Sequence, residues 1–145
     1  LVRANLLPMT AALAAGSTVA ALSAVATAWA LGAPSDALAS IAPKSVTAPV
    51  AMQLSKSLGG VPELTAVLVI ATGIIGAMVV TPLMNALRIR DFAARGFAAG
   101  VASHGIGTAR AFQVSETAGA FAGIAMGLNA ALTSLLTLVF LFAAG

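Results

Sequence analysis

The chain has no cysteine, a single histidine and only four acids, Asp36, Glu63, Asp91 and Glu116, which stand far apart in sequence. Without cysteine there is no disulfide, no thiolate nucleophile and no thiolate metal site, and one histidine with remote carboxylates cannot supply the ligands a zinc ion needs. Charged residues make up 8% of the 145 positions, against about 25% in soluble domains, whose surfaces must meet water. A water-soluble fold is therefore not expected. The net charge of +3 rests on seven basic residues scattered along the chain, and aromatic residues are 5%. That leaves neither a basic patch nor a stacking platform, so no nucleic-acid partner is expected. Positive charge here reads as topology information instead.

Apolar residues are abundant, at 60% of the chain with a mean hydropathy of +1.05. Three charge-free stretches, 4–35, 64–87 and 117–145, each exceed the roughly 20 residues that cross about 30 Å of hydrocarbon as a helix. They do not alternate as barrel strands do, and they are rich in Ala, Leu and Gly. The expectation is an all-α, polytopic integral membrane protein forming one membrane domain over 1–145, with spans at 4–33, 62–87 and 117–144. Ala28-Trp29-Ala30 resembles a leader cleavage site, but the apolar run before it is too long and further spans come after it, so the first span is expected to be retained.

Two segments of intermediate polarity, 35–58 and 95–115, lie between the spans. In the first, Ser35 or Asp36 can cap a short helix, Pro43 should force Ala42 out of the helical region, and Pro49 suits the first turn of a second short helix. In the second, Ser103-His104-Gly105-Ile106-Gly107-Thr108 should break a helical pattern, with Thr108 capping the second half-helix. The two segments match at a constant offset of 60 residues, with Ala51, Gln53, Ser55 and Gly59 falling on Ala111, Gln113, Ser115 and Gly119, and Lys44 on His104. This predicts an internal repeat of one discontinuous segment plus one span.

If each half-helix has about 8 residues, it rises about 12 Å, enough to reach the midplane and return. With re-entrant hairpins, Arg3 and the cluster Arg88, Arg90, Arg95 fall on one side; with crossing helices they fall on opposite sides. The positive-inside rule favours hairpins, which makes the two units an inverted repeat. Paired breaks in inverted repeats are the sequence pointer to a transporter's site, at which irregular backbone must be enclosed or hydrated. Lys44 lies in the first break and Arg110 one turn beyond the second, while every acid is near a segment end. Excess positive charge with half-helix N-termini near Thr47 and Thr108 favours an anion, and a small carboxylate is the natural candidate. Both basic residues could instead snorkel to an interface or bind break carbonyls.

His104 has the titration range to carry a coupled proton or can be a hydrogen-bonded structural residue. Ser103 and His104, being adjacent, point in different directions and no second base exists, so enzymatic activity is not expected. Gly119, Gly123 and Gly127 share one face of the last span and suit close helix packing within the protomer, with a homo-oligomer interface as the second use. Gln53 and Gln113 could contact substrate or tie helices together.

The runs Pro43-Lys44-Ser45-Val46-Thr47-Ala48-Pro49, Gly59-Gly60-Val61-Pro62-Glu63-Leu64-Thr65, Thr72-Gly73-Ile74-Ile75-Gly76, Ala94-Arg95-Gly96, Ser103-His104-Gly105-Ile106-Gly107-Thr108-Ala109 and Ala125-Met126-Gly127-Leu128 together resemble the LrgB/CidB family, over essentially the whole chain. Members of that family are longer by several N-terminal spans, so the chain, which begins with Leu1, is expected to correspond to their C-terminal part. The resemblance implies a multi-pass protein of the inner (plasma) membrane. It implies either a holin/antiholin-like modulator of murein hydrolases and lysis, working with a small LrgA/CidA-like membrane partner, or transport of glycolate, glycerate or pyruvate, as in the similar plastidial glycolate/glycerate translocator. The central anion site favours a monocarboxylate carrier lined by Lys44, Ser45, Thr47, Gln53, Ser103, His104, Thr108, Arg110 and Gln113, with a proton or sodium as coupling ion and no cofactor.

Overall fold

A computed structural model describes residues 6–144. Arg3, which entered the topology argument, lies outside the described residues. The described residues form six helices: α1 (Leu6–Ala30), α2 (Ser35–Ile41), α3 (Ala48–Ser57), α4 (Pro62–Ala86), α5 (Phe92–Val114) and α6 (Glu116–Ala144). Of these, α1, α4 and α6 are long and apolar enough to cross a membrane. At about 1.5 Å per residue, the 25 residues of α4 extend about 37 Å.

The helix ends have local causes. Pro62 opens α4 where a missing N–H costs nothing, and Asp91 caps α5 by accepting from the Ala94 N–H at 2.7 Å. At the end of α3, Gly59 has φ 79° and Gly60 N–H donates to Ser55 C=O at 2.8 Å, a closure that needs the left-handed conformation glycine adopts freely. Arg88 takes the same role after α4 with φ 56°.

Three expectations are corrected at this level. Ala42 keeps helical dihedrals (φ −53°, ψ −48°) despite the following proline, because its N–H still bonds Leu38 C=O and the chain leaves the helix afterwards through tight turns, Lys44 N–H to Ile41 C=O and Val46 N–H to Pro43 C=O. Pro34, not Ser35 or Asp36, is the N-cap of α2; the Asp36 carboxylate accepts from the neighbouring Ala37 N–H. The second polar segment starts earlier than 95, so that Arg95 lies inside α5.

The break in α5 is confined to His104, whose φ of 41° and ψ of −129° interrupt the helix. Contacts on either side show that the chain reverses there. Along the first arm, 92–103, Gly96 abuts Ala118 and Gly100 abuts Ala122, so this arm runs parallel to α6. Along the second, 105–114, Thr108 meets Met126 and Phe112 meets Gly119, so this arm runs antiparallel to it. Ala99 and Ala111 share one cluster, although a straight helix would hold them about 18 Å apart. The segment enters beside Asp91 and leaves beside Glu116 at the same end of the bundle.

The segment α2–α3 folds back from the other end. Ser40 reaches Val61 and Thr65 at the start of α4, Val46 in the turn packs deeper against Val69, and Ser55 returns to Thr65. Ser40, Ser55 and Thr65, all fully buried, thereby bond one another and clamp α2, α3 and α4 together. Polar side chains hold this junction because hydrocarbon offers their hydroxyls no other partner.

Candidate binding site at the helix breaks

The two breaks meet near the middle of the long helices. His104 Nε2 lies 2.9 Å from Val69 C=O on α4. Gly73, one turn further, makes room for the imidazole, since a Cβ there would lie 2.7 Å from His104 Cε1. Asn129, at mid-length in α6 and 1% exposed, joins three elements: its Nδ2 donates to Ser45 C=O in the first break at 2.8 Å and to Val101 C=O in the first arm of α5 at 3.3 Å. Its Oδ1 accepts from Ser17 Oγ at mid-length in α1. The free carbonyl of a broken helix thus has a partner from a continuous one, as buried backbone requires.

A non-glycine residue with the dihedrals of His104 carries about 1–3 kcal/mol of strain. Glycines flank it at 105 and 107, yet histidine occupies the strained position and its imidazole is bonded. Next to it, Ser103 is fully buried, pressed against Gly76, and its Oγ is unpartnered. Buried hydroxyls are nearly always bonded, so an orphan beside a strained residue singles this position out.

The predicted site residues divide into two groups. Lys44, Ser45, Thr47, Ser103, His104 and Thr108 gather around the breaks. Lys44 is half-buried, its Nζ 3.4 Å from Ser45 Oγ; it faces a groove along α1 lined by Ala20, Ser23 and Thr27. Thr47 is the N-cap of α3 but makes no side-chain cap bond; in the first turn Pro49 has no N–H and the Ala51 N–H donates to Thr47 C=O at 2.9 Å. Thr108 does not cap the second arm: its hydroxyl donates to His104 C=O at 2.8 Å, one turn back. The other group lies apart. Arg110 is exposed on the α4 side of the second arm, with Nη1 3.3 Å from Gln113 Oε1, while Gln53 and Gln113 are exposed. Lys44 and Arg110 therefore line different surfaces. Among the described residues, no three of the His, Asp and Glu side chains stand close enough to hold a metal ion.

Sequence reasoning missed Asn129 and Ser17. Asn129 carried a signal, because it is the one amide in the charge-free run 117–145, and a polar side chain inside a span needs a partner.

Fold and site together define a multi-pass helical membrane protein whose buried polar groups collect where two discontinuous segments meet. The LrgB-like family matches residues 1–142, and the chain belongs to that family. Among curated relatives, the uncharacterized protein YwbG of Bacillus subtilis is 38% identical over 87 residues, which are 60% of this chain and 39% of the relative. The holin-like protein CidB of Staphylococcus aureus is 38% identical over 98 residues, 66% of this chain and 43% of the relative. Protein YxaC of Bacillus subtilis, also uncharacterized, is 40% identical over 88 residues, 61% of this chain and 38% of the relative. The matched part thus spans about two-fifths of the length of these relatives. No solved structure matches.

Proposed function

We propose that this chain is the core of an inner-membrane carrier for small monocarboxylates of the glycolate, glycerate or pyruvate kind. The observation that carries the reading is the junction of two helix breaks, one bearing Lys44 and the other His104, at mid-length of three spanning helices. A cation, a helix N-terminus at Thr47 without a side-chain cap and an orphan hydroxyl at mid-depth suit a small anion with a hydroxyl or keto group. In this reading the α2–α3 and α5 segments are re-entrant hairpins from opposite membrane faces, each followed by a span, and form an inverted repeat. His104 suits a coupled proton; sodium is the other candidate ion. An LrgA/CidA-like subunit or a second copy would complete the assembly.

The names of the staphylococcal relatives favour a second reading, a holin-like protein acting on lysis. One experiment separates the two. Proteoliposomes containing only the full-length protein should take up labelled glycolate or pyruvate, and Lys44→Gln should raise the half-saturating concentration about ten- to hundredfold, the weight of one charge-assisted hydrogen bond. Unchanged concentration dependence in the variant would remove Lys44 from the site. Uptake of neither compound by the wild type, with altered lysis on expression, would establish the holin-like reading in its place.

A further inference from the structure

Outside the break junction, α4 and the second arm of α5 leave an open groove of about 530 Å³ on the surface of the bundle. Ile74, Ala77, Met78 and Ile106 make its walls, and Arg110 stands at one end beside Thr81 and Pro82. Met78 and Ile74 are both open to the surroundings, at 71% and 47% exposed. The groove runs from mid-length of α4 towards the end of the helix, and Thr81 is about 8 Å short of that end at Ala86. Arg110 is therefore placed near the level where a lipid's phosphate and glycerol would lie, with apolar wall reaching inward from it.

At this end of the bundle arginine outnumbers acid, the acids being Asp91 and Glu116. Arg88 and Arg90 follow α4 and Arg95 lies in the first turn of α5, at the same end of the bundle. The Arg95 guanidinium is engaged by Asn85 Oδ1 at 2.8 Å and Thr81 C=O at 3.4 Å. Arg110 meets the neutral amide of Gln113 and is exposed. A small carboxylate has no apolar body to cover the walls of such a groove, whereas a phospholipid has both an acyl chain and an anionic phosphate.

We propose that this groove is a binding site for an anionic phospholipid, its acyl chain lying against Ile74, Ala77, Met78 and Ile106 and its phosphate on Arg110. Arginine suits the phosphate because its planar fork donates two parallel hydrogen bonds, and an arginine-rich end faces the anionic leaflet. The inference is independent of what the protein carries.

The test uses full-length protein in phosphatidylcholine vesicles doped with spin-labelled phosphatidylglycerol or spin-labelled phosphatidylcholine, and reads the motionally restricted lipid fraction. Wild type should restrict phosphatidylglycerol in preference to phosphatidylcholine. Arg110→Gln, an exposed change that leaves the packing alone, should lower that preference about fivefold, the weight of one basic residue at an anionic surface. Ala77→Phe, which fills the groove without altering charge, should also lower it; Met78→Trp is the alternative filler if Ala77→Phe does not insert. No preference in the wild type would overturn the inference, as would a loss with Arg110→Gln but not with either filler, which would reduce the effect to general attraction by the arginine-rich end. A groove covered by another helix would show no restricted component and would overturn it equally.

Discussion

Gly100→Ala and Gly96→Ala are each expected to destabilise the fold by about 3 kcal/mol, the upper range for overpacking. A Cβ on Gly96 would run into the backbone of Ala118, and one on Gly100 into the backbone of Ala122. Neither obstacle is the movable end of a side chain, so the first arm of α5 would have to leave α6, with the loss of the packing between them. The same interface buries Phe97 and Val101 against Phe121 and Ala125. Gly127→Ala is the control: nothing lies within 4 Å of a Cβ there, and alanine is the better helix former, so this change should be neutral or stabilising by up to about 1 kcal/mol. Equilibrium unfolding in detergent measures all three. If Gly100→Ala proved as mild as Gly127→Ala, the parallel contact of the first arm with α6 would be wrong.

The second large effect is expected at Asn129. Asn129→Leu removes the partner of Ser45 C=O and of Ser17 Oγ while keeping the site filled. Interhelical hydrogen bonds in membranes contribute about 0.6 kcal/mol on average, but leaving a break carbonyl unsatisfied adds about 1–3 kcal/mol. The expected loss is therefore about 2–4 kcal/mol. Asn129→Asp preserves the acceptor for Ser17 but not the two amide donations, so it too should lose stability. Unfolding of both variants beside wild type is the check; an aspartate variant as stable as wild type would mean that the amide donors contribute little.

The three spans were legible because charge-free length is a property of the sequence alone. Pro43 and the glycines beside His104 likewise gave away the two interruptions. Partners in space were not legible. The stripe of Gly119, Gly123 and Gly127 drew attention by its spacing, yet only Gly119 packs tightly, against the Phe112 ring, while Gly127 is open. Gly96 and Gly100 meet the backbone of α6, and nothing in their spacing says that α6 lies opposite. Lys44 and Arg110 both lie close in sequence to a break, but the direction each side chain takes depends on how its helix is rotated, and they face different surfaces. Thr108 had a capping residue's position, but its hydroxyl is within reach of His104 C=O, one turn back, and bonds that instead.

Accessibility of single cysteines to a membrane-impermeant maleimide tests most directly the topology we propose, in which two segments fold back from opposite faces to meet inside the membrane. Ser35 and Lys56 flank the first folded-back segment, Arg90 and Glu116 flank the second, and all four are exposed. Cysteines at 35 and 56 should react from one face of sealed vesicles, and cysteines at 90 and 116 from the other. Labelling of 90 and 116 from opposite faces would make α5 a crossing helix and contradict the account.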